Sequence, residues 1–214
     1  MITRFSIFVT CALFLMISVA ARAQSVYLID SGTMSIRLDE PFLSAAGLTV
    51  TTIADTATPA LGFDAGFDIT DTTDFCFTID PVFTAVHGSI RHSGSINFDQ
   101  GKLGTFAVGN FQLAYGIVTP DKFELYDTLL GTRLFELGEP DATTLTGKDF
   151  AFGNADLIVT PEFADFLGDK NLSGQVAGQL RIDGAASLKP VPEPHTALLA
   201  GAGLLFLTAR RRRF

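Results

Sequence analysis

The sequence predicts a mainly β protein: an antiparallel β-sandwich or partly open barrel, flanked by an N-terminal signal helix and a C-terminal hydrophobic helix. Three observations lead there. Between the two ends, apolar residues alternate with polar ones over short stretches, the period of a half-buried strand. Gly, Asn, Asp and Pro interrupt those stretches at short intervals, where a chain reverses direction. Helical patterns are few and brief, so none can form a layer of its own. No repeat of fixed period runs through the chain, which argues against a solenoid.

Taken in order, Met1–Arg4 is a short basic segment, Phe5–Val19 is an uncharged apolar run, and Ala21 and Ala23 put small side chains before Gln24. Residues 1–23 therefore read as a secretory signal peptide, cut by signal peptidase after Ala23, because the run falls short of the ~20 residues of a spanning helix. Ser25–Ile29 and Thr33–Leu38 flank Asp30-Ser31-Gly32 and are expected to form a hairpin. Pro41–Ala46 predicts a short helix stopped by Gly47. Phe75, Phe77 and Ile79 share one face of a strand whose other face carries Cys76 and Thr78. Ile90, Ile96 and Phe98 share parity, and Asp99-Gln100-Gly101-Lys102 turns the chain into Leu103–Tyr115, where Phe111, Leu113 and Tyr115 alternate. Ser89–Phe98 and Leu103–Tyr115 are expected to pair as the central hairpin. Asp156–Thr160 and Val176–Ile182 read as late strands, and between them Pro161–Leu167 predicts a helix capped by Thr160 and stopped by Gly168.

Residues 24–189 are thus expected to fold alone as one exported β domain, long enough for its own core. Fifteen of the 20 phenylalanines lie between Phe42 and Phe166 and there is no Trp, which makes Phe the core filler rather than a ligand platform. The same segment holds 22 Asp and Glu against nine Lys and Arg, a charge of −13. A body so acidic repels phosphate backbones, so nucleic acid is excluded as a partner.

The C-terminus has three parts in a fixed order. Val191-Pro192-Glu193-Pro194 is held extended by its prolines, the 14 residues Thr196–Ala209 are uncharged and apolar all round, and Arg210, Arg211, Arg212 and Arg213 precede Phe214. Four arginines hold the end of such a helix at the cytoplasmic face, as a stop-transfer element does. Residues 190–214 resemble the PEP-CTERM sorting signal of Gram-negative bacteria. The resemblance implies that an exosortase-type processing enzyme reads Val191, Pro192, Glu193 and Pro194 and frees the protein from a transient anchor in the inner membrane. It further implies export and final delivery to the cell surface or the extracellular space.

Candidate chemistry in the body is sparse. Cys11 leaves with the signal peptide, so Cys76 is alone in the mature chain and reads as a buried, inert thiol. His87 and His92 are five apart and fall on opposite faces of a strand, which is wrong for a shared metal. Asp64, Asp68, Asp71 and Asp74 recur every three or four residues but do not follow the spacing of a calcium loop. There is no nucleophile elbow and no phosphate loop. No catalytic, cofactor or metal residue is assigned. The expectation is a non-catalytic exported protein serving an exopolysaccharide or biofilm layer; the alternative is a glycan- or calcium-binding module on the same fold.

Overall fold

In the computed structural model, which describes residues 25–189, fourteen strands and two short helices follow one another. The first half comprises β1 (Tyr27–Leu38), α1 (Glu40–Ala46), β2 (Leu48–Ala54), β3 (Ala65–Asp68), β4 (Cys76–Thr78), β5 (Thr84–His87), β6 (Ser89–Arg91) and β7 (Ser95–Gln100). The second comprises β8 (Gly104–Gly109), β9 (Gln112–Tyr115), β10 (Phe123–Asp127), β11 (Thr132–Leu137), β12 (Thr143–Thr146), β13 (Asp149–Val159), α2 (Pro161–Leu167) and β14 (Val176–Leu188). The predicted signal helix, its cleavage residues Ala21 and Ala23, and the C-terminal helix lie outside the described residues. Among the described residues no helix is long and apolar enough to cross a membrane.

Eleven strands form one antiparallel sheet: nine follow the order β5-β4-β1-β14-β13-β11-β10-β9-β6, and off this path β12 pairs with β13 and β3 with β1. The sheet curls until its edges meet. Ile69 bridges to His92, Thr70 N–H donates to the Arg91 carbonyl at 2.8 Å, and Asp74 N–H donates to the Ser89 carbonyl at 3.2 Å. The result is a nearly closed barrel, which satisfies most of the edge groups that an open sheet leaves unpaired. Of the two architectures the sequence allows, the barrel is the one adopted.

Two details of the strands differ from the sequence reading. Asp30-Ser31-Gly32 makes no hairpin: β1 runs through it, with a bulge between Ile29 and Ser31 in its pairing with β14. Gly32 sits opposite Gly184, and a Cβ on either would run into the partner backbone, so the glycine serves close approach rather than a turn. The pair of Ser89–Phe98 and Leu103–Tyr115 does form, yet it is not central. Its β6–β9 arm is a barrel edge, while its β7–β8 arm leaves the barrel and joins β2 in a three-stranded sheet.

Both helices start and stop as their sequences predict. Asp39 and Thr160 cap them, each accepting from a backbone N–H three residues on at 3.2 Å, and Gly47 and Gly168 end them in the left-handed conformation. Their C-termini are then joined from outside. Gln100, buried at the end of β7, donates its Nε2 to the Ala46 carbonyl at 3.0 Å and the Leu167 carbonyl at 3.1 Å. One side chain so satisfies an orphan carbonyl of each helix.

The helices and the small sheet close one end of the barrel. Phe42 and Leu43 of α1, Phe163 of α2 and Phe98 of β7 meet Ile36 and Leu157 around an apolar gap of about 20 Å³, room for one water at most. Phenylalanine fills the remaining interior as expected. Phe67, Phe75, Phe77 and Phe111 are among the largest fully buried side chains, and Phe77 alone lies within 4.9–6.2 Å of the rings of Tyr27, Phe75, Phe83 and Phe150.

Candidate functional site

The opposite end of the barrel is open. Along β9 the chain runs from Phe111 at the filled end to Tyr115 at the open one, and along β13 Phe152 lies at the open end and Leu157 at the filled end. There the walls surround a cleft of about 320 Å³, at the small end of ligand-sized pockets. Phe123 and Phe152 are buried beneath it and meet edge to face at 5.3 Å, while half-buried Phe83 and Tyr115 stand against Phe123 at 6.2 Å and 5.0 Å. Asp121 and Glu139 are exposed around this aromatic floor, with Lys122 and Pro140 half-buried beside them.

The β9–β10 loop that carries Asp121 and Lys122 is held from below by a buried charge cluster. Glu124 is fully buried and accepts from Val118 N–H at 3.0 Å, Thr119 N–H at 2.9 Å, the Tyr126 hydroxyl at 3.1 Å and Arg133 at 2.7 Å. Burial pushes this carboxyl up, but the four donors outweigh it and hold Glu124 below the usual carboxylate range. Burial, then the Glu124 carboxylate, push Tyr126 up to about 12. Arg133 reaches on to Glu162 through two bonds of 2.9 and 3.0 Å, tying α2 to the barrel wall. At the cleft itself Tyr115 donates to Asp121 Oδ1 at 3.5 Å, and burial first, then Asp121, raise the phenol.

The residues singled out from sequence are spent elsewhere. Asp64 accepts from Leu38 N–H and Asp74 from Ser89 N–H, both at 2.8 Å, so two carboxylates of the acidic run pin backbone at the sheet edges. Among the described residues no group of three or more His, Cys, Asp or Glu is placed to hold a metal ion. Cys76 is buried, with its thiol directed to the Asp74 carbonyl at 3.6 Å. Thr78 is buried as well, so both faces of β4 are covered, not the Phe face alone. His87, on β5, is exposed and His92, just beyond β6, is buried; left-handed Gly88 separates the two strands, so the histidines do not share the one strand the sequence reading gave them.

His92 sits at the barrel seam with neither ring nitrogen hydrogen-bonded. Burial lowers its pKa from 6.5 to about 3. The unfolded chain thus binds a proton near pH 6.5 that the folded chain refuses until about pH 3, so stability falls as the pH drops between those limits. His92→Leu is expected to remove that dependence. Melting temperatures of both proteins between pH 7.5 and pH 4.5 check this; a parallel decline in the two would refute it.

Sequence reasoning missed the cleft because its lining comes from five separated segments. The one signal available was Tyr115, one of only three tyrosines, at the end of an alternating strand.

The tail matches a known family. Residues 190–213 fit the model of the PEP-CTERM protein-sorting motif. The tail is a sorting signal. It marks a protein exported and sorted to the cell surface by an exosortase in Gram-negative bacteria. No curated protein matches the chain. Among solved structures the chain is similar to the C-terminal domain of HtaA from Corynebacterium glutamicum, at 13% identity and a TM-score of 0.49, over 75% of this chain and 99% of that one.

Proposed function

We propose that this chain is the precursor of a non-catalytic surface protein that works within an exopolysaccharide or biofilm layer. Its parts are a signal peptide over 1–23, an exported β barrel over 24–189 and a removable tail over 190–214. The observation that carries the reading is the position of the sorting motif, directly after a self-contained barrel. In the tail, Pro192, Glu193 and Pro194 present an extended, charged recognition element, and Arg210 to Arg213 hold the apolar segment at the inner membrane until it is cut. Exopolysaccharide made and exported by the same cell is the partner such delivery suits.

Replacing Glu193 by Ala is expected to leave most of the precursor in the inner-membrane fraction, while deletion of Arg210–Arg213 weakens its retention before processing. Fractionation and immunoblotting of the two variants check both. Wild-type surface delivery in both would sink the sorting roles given to these residues.

A further inference from the structure

Resting on the exopolysaccharide reading above, we propose that the open end of the barrel is a subsite for a neutral sugar ring of a polysaccharide. Three properties of the cleft select that chemistry. Its floor is aromatic: half-buried Phe83 and Tyr115, backed by buried Phe123 and Phe152, offer π systems whose faces are electronegative, matching the electropositive C–H face of a sugar ring. Its rim is rich in acceptors, since ionised Asp121 and Glu139 can only accept hydrogen bonds, so the ligand must bring donors. Sugar hydroxyls do so, whereas a uronate or sulfate would set like charges against each other, with one Lys122 to offset them. The −13 charge of the exported body extends the same exclusion over long range. A purely apolar ligand would cover the floor and leave the three charged rim groups without a role.

The site is also held in place. Gly116 N–H donates to the Lys122 carbonyl at 2.8 Å, Glu124 grips the middle of the same loop, and Asp121 holds the Tyr115 hydroxyl. Val82, Ile117 and Val118 of the flanking loops and Val86 of β5 are exposed, apolar surface beside which a polymer extending past one ring can lie.

The test is affinity electrophoresis of the full chain in native gels cast with barley β-glucan, galactomannan or alginate. Retardation by a neutral polymer and none by alginate is expected. Ala85→Trp, which fills the cleft from β5, should weaken retention at least tenfold, and Glu139→Gln, a change at an exposed position, should weaken it several-fold with an unaltered melting temperature. Retardation by alginate, no retardation by either neutral polymer, or full retention in both variants overturns the proposal. Association with the cell's own matrix separates the subsite from the surface reading. If wild type and Ala85→Trp sediment with the matrix equally, the subsite fails and the surface reading stands. If wild type is retarded in the gels but absent from the matrix, the surface reading fails and the subsite stands.

Discussion

Phe77→Ala is expected to lower the unfolding free energy by roughly 3 to 5 kcal/mol, the cost of emptying a fully buried aromatic site. The upper part of that range applies, because four other rings surround this one and cannot all relax into the space. Typical domain stabilities are about 5 to 15 kcal/mol, so the variant should lose a large share of its stability. Urea unfolding followed by tyrosine fluorescence measures it. His87→Ala serves as the control: its side chain is exposed on β5, and a change within about 0.5 kcal/mol is expected. A loss below about 1 kcal/mol for Phe77→Ala would show that the barrel interior is far looser than its packing implies.

The second large effect is electrostatic. Arg133→Leu should cost roughly 3 to 5 kcal/mol at pH 7.5, because it strands the Glu124 carboxylate in the interior and releases Glu162, and with it α2, from the barrel wall. The pH dependence distinguishes this cause from lost packing. In the wild type Glu124 is held below its ordinary pKa, so its contribution is present above the unfolded value near 4.5 and is lost as pH falls through the lowered folded value. Without Arg133 burial is opposed by three donors instead of four, so Glu124 titrates higher than in the wild type and acidification neutralises the stranded charge sooner. The stability gap between variant and wild type should therefore narrow as the pH is lowered from 7.5. Adding Glu124→Gln to Arg133→Leu should recover part of the loss at pH 7.5, because the amide oxygen still accepts from the loop N–H groups without a charge. A gap that is constant with pH, with no recovery in the double variant, would assign the cost to packing alone.

Local rules carried the sequence reading where a feature depends on neighbours in the chain. The cap at Thr160 and the stops at Gly47 and Gly168 act within one helical turn. The parity of Ile90, Ile96 and Phe98 was legible because a strand buries alternate residues whatever covers it. The sorting tail was legible for the same reason: its proline motif, apolar run and arginine cluster are contiguous.

The same rules failed where a distant partner decides the outcome. Asp30-Ser31-Gly32 has turn chemistry, but the opposing Gly184 lets two backbones approach and the strand continues. In β13 the buried positions change parity, from Phe150 and Phe152 to Ala155, Leu157 and Val159, so simple alternation found only its last part. The pairing with β14 shifts register between Phe152 and Ala155 and returns the later side chains to the core. Gln100 reads as a turn residue and is instead buried, because two helices remote in sequence end beside it. The cleft belongs to this class too. By itself the sequence determined the mainly β class, the helix limits, the acidic body and the sorting tail, all of which follow from residue type and short spacing. Barrel closure at Ile69 and His92, the plug at one end and the aromatic opening at the other were decided only in the tertiary structure. Each requires segments far apart in the chain to meet, and no short-range pattern encodes which of many compatible strands will be neighbours.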